Sequence, residues 1–171
     1  VQDLCYYPSS HHPTSKEASH QMTLNEAHRK HLEDHAIDLE LAESLGVRSA
    51  ETEGELPEGM RYLADRLPAI VYPWAMKGIE TIHQVRPDDP GDGSKYLFAA
   101  GRGSAIWATH KPKKSKRQGV LLVEGTHQCL AVASLKPDWL VLGMGGCYGW
   151  SSGGAVTYQL TDVAEGLPLV A

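Results

Sequence analysis

The sequence predicts an α/β domain, α+β overall, with an N-terminal helical hairpin, a mostly antiparallel sheet region and a closing βαβ unit. Three observations predict it. Two capped segments of helical period occupy residues 23–46. Beyond Pro68, short runs rich in β-branched and aromatic residues are punctuated by Gly, Pro and Asp. From Gly119, two continuous apolar runs flank a short helical stretch, as in a sheet covered on both faces.

Taken in order, residues 1–22 are rich in Ser, His and Pro and read as a flexible tail. "TLNEAHRKHLEDHAI" reads as a helix with Thr23 as cap and Glu26 completing a capping box, so that Leu24, Ala27, His31 and Leu32 fall near one face. "DLELAESLG" reads as a second helix, capped by Asp38 and stopped by Gly46. Residues 47–66 carry the acidic stretch "ETEGELPE" and read as a loop, closing a first region of hairpin plus acidic loop over 23–66. In the next region, 67–118, "AIVYPWA" and "GIETIHQVRP" read as a strand hairpin, "DDPGDGS" as a turn, and "KYLFAA" and "SAIWATH" as further strands around Gly101–Gly103. In the last, 119–171, "GVLLVEG", "HQCLAVASL" and "DWLVLGMGG" give strand, helix and strand. Parallel strands joined by a helix place their C-terminal tips on one edge, where ligands usually bind. Glu124 and the loop Gly143–Gly146 should share that edge.

At 171 residues the chain has room for one domain, or for one domain and a small appendage. A formal charge of −5 argues against a generally basic nucleic-acid binder, but the charge is uneven, since Lys111, Lys113, Lys114, Lys116 and Arg117 form a basic run. That run suits sequence-independent phosphate contact, or else a solvated loop that keeps its strand from pairing. The three cysteines, Cys5, Cys129 and Cys147, show no CxxC spacing and point to a reducing compartment, and no apolar run is long enough for a membrane span. A cytoplasmic protein is expected.

Glu124 is the first candidate site residue. A carboxylate is costly to bury, and a strand tip holds one rigidly while exposing it to a ligand. Its readings are metal ligand or general base on one side, and cap of the following helix on the other. Gly125, Gly143, Gly145 and Gly146, with Gly149, allow a close approach to phosphate or simply a tight turn, and Tyr148 and Trp150 stand ready to stack a base. Arg102, between Gly101 and Gly103, offers a guanidinium to phosphate beside flexible backbone. His28, His31 and His35 lie near one helical face, but "HLEDH" is not HExxH and no cysteine is near in sequence, so they read as helix-surface histidines. Cys129 reads as a small core residue.

The order "IVYPWAMKGIETIHQVRP", "KYLFAAGRGS", "GVLLVEG" resembles the core of bacterial-type primases, with a strand pair, a Lys-Tyr-Leu motif and then the first strand of a Toprim domain. The similarity runs from Thr23 to the C-terminus. It is nearest to Toprim-containing primase-like proteins of plasmids, phages and integrative elements, which makes residues 119–171 a partial Toprim domain. The resemblance implies a nucleotidyltransferase of DNA replication that uses Mg²⁺, a single-stranded DNA template and nucleotides, with a replicative helicase as a further partner. It implies that Glu124 is catalytic and part of the metal site, and that Lys95 and Arg86 contact nucleotide phosphates or template. Two departures stand out. Gln128 sits where such primases carry an Asp, and no Asp-x-Asp occurs. The expectation is a fragment of a longer protein, inactive by itself. A non-enzymatic nucleic-acid-binding replication module and a Toprim nuclease are the alternatives.

Overall fold

The computed structural model describes residues 23–76, 79–100, 106–109 and 118–145, with the backbone of 151–152 and 155–156; side chains at 75, 76, 79 and 80 are not described. Helix α1 (Glu26–Asp34) is followed by α2 (Leu39–Ser44) and the short strand β1 (Arg48–Ala50). Two 3₁₀ segments, Glu53–Glu55 and Glu58–Arg66, lead into β2 (Ala69–Met76) and β3 (Ile79–Pro87). Next come β4 (Leu97–Phe98), β5 (Trp107–Ala108), β6 (Gly119–Val123), α3 (Thr126–Leu135), β7 (Trp139–Gly143), β8 (Ser151–Ser152) and β9 (Ala155–Val156). The architecture is α+β, as predicted.

Capping explains the helices, with one correction. Asp38 caps α2 as expected, accepting a hydrogen bond from the Leu41 N–H at 2.8 Å, and Gly46 ends the turn at φ +79, a left-handed conformation that glycine adopts without strain. Helix α1, however, is capped by Asn25, whose Oδ1 accepts from the His28 N–H at 2.8 Å. Thr23 and Glu26 do not form the capping box; that arrangement occurs instead at Thr52 and Glu55, inside the segment read as a loop. The buried residues of α1 are His28 and Leu32, while Ala27 is exposed. An Asn two residues after Thr23 outcompetes it because its carbonyl oxygen reaches the same orphan donors, and the helical face rotates accordingly.

The first sheet is ordered β1-β2-β3-β4, antiparallel throughout. Along β2 the burial alternates between two cores. Ala69 and Val71 face Leu56, Met60 and Leu63 from the 3₁₀ layer, whereas Ile70, Tyr72 and Trp74 face a larger core shared with α1, α3 and β7. A sheet covered on both faces needs apolar residues at successive positions, which is why "AIVYPWA" lacks a polar face. β1 pairs only as far as Val71, and among the described residues no strand pairs with β2 on that side beyond it, the place where Pro73 costs no ladder bond. Residues 47–66 were expected to be a loop. β1 there is only three residues long, too short for periodicity to reveal, and the 3₁₀ layer is built from Met60 and Leu63 spaced like a helical face. "KYLFAA" pairs only at Leu97 and Phe98.

The second sheet is ordered β5-β7-β6, with β6 and β7 parallel and in register from Gly119↔Trp139 to Val123↔Gly143. This is the predicted βαβ unit. The two sheets meet where Trp74 stacks on Trp107, ring centroids 5.7 Å apart at 11°, with Phe98 edge-on to Trp74. Helix α3 lays Cys129, Leu130 and Ala133 on Val141 in the same core.

His28 corrects the reading of a helix-surface histidine. It is 2% exposed, with Nδ1 2.6 Å from Ser49 Oγ and Nε2 3.1 Å from Asp88 Oδ1. It ties α1 to β1 and to the end of β3. The trio is structural, since Ser49 is itself buried and its Oγ accepts the Asn25 N–H at 2.8 Å. His28→Ala is expected to cost about 2–3 kcal/mol, the loss of a buried ring with two hydrogen bonds. The midpoint of urea unfolding measures this, and an unchanged midpoint would show that the pair of bonds contributes nothing.

Candidate functional site

The register of β6 and β7 puts Glu124 and Met144 at adjoining strand tips, and the Met144 N–H donates to the Val123 carbonyl at 2.9 Å. Glu124 is exposed there. It lines a depression of about 410 Å³ together with Gln84, Ser94, Tyr96, Phe98, Gly125, Thr126, Gln128 and Gly145. One wall is aromatic, from β4 and its approach. The floor is polar, and the Thr126 hydroxyl donates to Gln84 Oε1. Gly125 is the N-cap of α3 and supplies no side-chain cap, while the Gln128 amide folds back over it, so that a Cβ at Gly125 would collide with Gln128 Oε1.

Two of the glycines have a packing reason. Gly145 has φ +65, and a Cβ there would sit 3.0 Å from the Trp74 indole. Gly143 lies under α3, where a Cβ would come within 3.2 Å of Cys129 Sγ. Both let the strand tip close over the aromatic core, which brings the Gly145 backbone to the rim of the depression.

The predicted residues divide into three groups. Glu124, Gly125 and Gly145 come together at the depression, with Gly143 just beneath. Lys95 is exposed between Ser94 and Tyr96 but is not part of the lining. Arg86 lies on the same face of β3 as Gln84, largely covered, with Nη1 3.6 Å from Asp88 Oδ1. Arg102, Lys113, Lys114, Lys116 and Gly146 lie outside the described residues, as do Tyr148 and Trp150.

A second constellation was missed by the sequence reading. His31 and His35 from α1 meet His127 from α3, with ring centroids 4.4, 5.1 and 5.2 Å apart. The fully buried Tyr72 hydroxyl is hydrogen-bonded to His127 Nε2, and Tyr96 stands edge-on to His127 at 5.7 Å. Burial pushes the Tyr72 phenol well above its usual pKa. Burial, with His31, His35 and Arg86 nearby, lowers His127 to about 3, and His31 is lowered chiefly by burial and then by Arg86. The i, i+4 spacing of His31 and His35 was visible in sequence; their meeting with His127, 92 positions beyond His35 by subtraction of residue numbers, was not. Cys129 is fully buried and its thiol is pushed up to about 12 by burial, which leaves no nucleophile there.

No family model matches the chain, and no curated protein matches it in sequence. Among solved structures it is similar to the Aquifex aeolicus primase, in a crystal structure of its zinc-binding and RNA polymerase domains. The TM-score is 0.57 at 16% identity, over 84% of this chain and 41% of that one. The chain has a primase-like fold. It spans less than half the length of that primase chain, and the likeness is one of fold. Among the described residues no helix is long and apolar enough to cross a membrane.

The Mg²⁺ that the primase resemblance implies can be tested against this donor set. Among the described residues Glu124 is the one carboxylate lining the depression. A hard cation takes six or more oxygen ligands and favours several carboxylates. The described residues do not make a Mg²⁺ site by themselves.

Proposed function

We propose that the chain supplies the nucleic-acid-handling strand region and the first half of a Toprim domain in a primase-like nucleotidyltransferase of a plasmid, phage or integrative element. The observation that supports it is the exposed Glu124 at the tip of a parallel strand, beside Gly145 and an aromatic wall, within a primase-like fold. In this reading a base stacks on Tyr96 or Phe98, and Gln84, Ser94 and Gln128 meet its polar edge. Glu124 accepts the proton of the attacking hydroxyl. Mg²⁺ belongs to the complete enzyme, where it would stabilise charge on the transferred phosphate. Lys95, Arg102 and the basic run hold template phosphates, and a replicative helicase would deliver the single strand.

Among the described residues the depression holds a single carboxylate, and that favours a second reading for this chain by itself, a nucleic-acid-binding module without turnover. Binding comes first in both readings. The chain is expected to bind single-stranded DNA weakly, without sequence preference, and to lose affinity as salt rises. Reversing Lys113, Lys114 and Lys116 together to Glu should weaken binding at least ~10-fold and flatten the salt dependence, since three phosphate contacts are removed. Fluorescence anisotropy reads both. Unchanged affinity would make the run a solvated loop. Mg²⁺-dependent primer synthesis by a complete protein, lost when Glu124 is changed, separates the polymerising reading from the binding module, and cleavage of the DNA would point to a nuclease.

A further inference from the structure

We infer that His31, His35 and His127 form a binding site for a zinc-class divalent cation that clamps α1 to α3. One ring nitrogen from each lies within 4.8 Å of the others. Tetrahedral Zn–N bonds of about 2.0–2.1 Å would set imidazole centroids roughly 5 Å apart, and the three rings stand at 4.4, 5.1 and 5.2 Å. A tetrahedral ion would hold the three nitrogens about 3.3 Å apart, so the rings close by an ångström or so on binding.

Three further observations point to a ligand. His31 Nε2 is buried and has no hydrogen-bond partner. Such an atom is costly to leave unsatisfied, and a metal would satisfy it. His35 Nδ1 lies 2.7 Å from the His31 carbonyl, a bond in which the ring N–H donates; that fixes the tautomer and leaves the Nε2 lone pair for coordination. The Tyr72 hydroxyl is hydrogen-bonded to His127 Nε2; with the ring N–H donating to the phenol oxygen, the Nδ1 lone pair is free for coordination. Ligating histidines are usually held by a carbonyl or another polar group on their second nitrogen, and here two of the three already are.

The donor set selects the ion. Three imidazoles without a carboxylate suit zinc and its neighbours rather than Mg²⁺ or Ca²⁺. Arg86 is the cation that opposes a metal here, and its pairing with Asp88 at 3.6 Å offsets part of that charge. The site joins two helices whose sequences are far apart, so an ion binds the folded chain, with three histidines in place, more tightly than the unfolded one and stabilises the fold. It is distinct from the Glu124 depression and does not depend on the function proposed above.

The test is Zn²⁺ alone, added to the chelator-treated 171-residue chain, with affinity read by competition against a chromophoric chelator and stability by thermal unfolding. One Zn²⁺ per chain is expected, with Tm rising by roughly 5 °C at about a hundred times Kd. His35→Ala, at an exposed position, should weaken binding at least ~10-fold and, at the same Zn²⁺ concentration, cut the rise in Tm to about half or less. A variant with His11, His12 and His20 changed to Asn should bind as the parent does. Should His35→Ala lose the native circular dichroism, His31→Asn is read in its place. Equal Zn²⁺ affinity in the ligand variant and the parent would overturn the site, as would a saturated chain with an unchanged Tm, or binding that disappears with the N-terminal histidines.

Discussion

Trp74→Ala is expected to be the most destabilising single change in the chain, costing about 3–5 kcal/mol. Trp74 is 1% exposed and carries three contacts at once: the stack on Trp107, the edge of Phe98 and the backbone of Gly145. Truncation removes the surface that joins the first sheet to the second and leaves a cavity between two rigid sheets that cannot collapse. Trp74→Phe should cost much less, because it keeps the ring and deletes an indole N–H that is buried without a partner. Chemical unfolding of both variants checks the order. A Trp74→Ala protein within 1 kcal/mol of the parent would mean that the sheets are held elsewhere.

Glu124→Gln is expected to remove nucleotidyl transfer from a complete polymerising protein by two to four orders of magnitude, about what a positioned base contributes. The substitution keeps shape and removes charge. Folding should hardly change, since Glu124 is exposed and no ion pair of the described residues uses it. In the 171-residue chain the same change should leave single-stranded DNA binding within about twofold, because carboxylates do not hold phosphates. Primer-extension rates and unfolding midpoints, measured on the same preparations, separate the two effects. A fully active Glu124→Gln enzyme would reduce the residue to a strand-end charge beside α3.

How much of this was legible in the sequence depends on the range of the interaction that decides each feature. Asp38 and Gly46 mark α2 because a cap acts within four residues. The βαβ unit was legible because both strands are covered and so carry uninterrupted apolar runs. β1 was not, because three residues show no period and its pairing with β2 is decided twenty positions away. His28 was misread for the same reason, since its partners Ser49 and Asp88 come from β1 and the end of β3. Of the site, Glu124 and the glycine loop could be placed on one edge by topology alone. The aromatic wall of Tyr96 and Phe98 and the histidine triad could not, because each is assembled across elements that sequence spacing does not connect.

The Asp38 N–H donates to Ser134 Oγ across 96 positions of chain, and the core that α1 and α2 enter is completed by Cys129, Leu130 and Val141. During synthesis at roughly 5–20 residues per second, the two leading helices therefore emerge about 5–20 seconds before the surface they bury against exists. Neither is long enough to hold its shape alone in water. Until α3 is made, Leu24, Leu32 and Ile37 are exposed apolar side chains on an unpaired segment, and the nascent chain depends on its polar neighbours, or on a chaperone, to keep them from other partners.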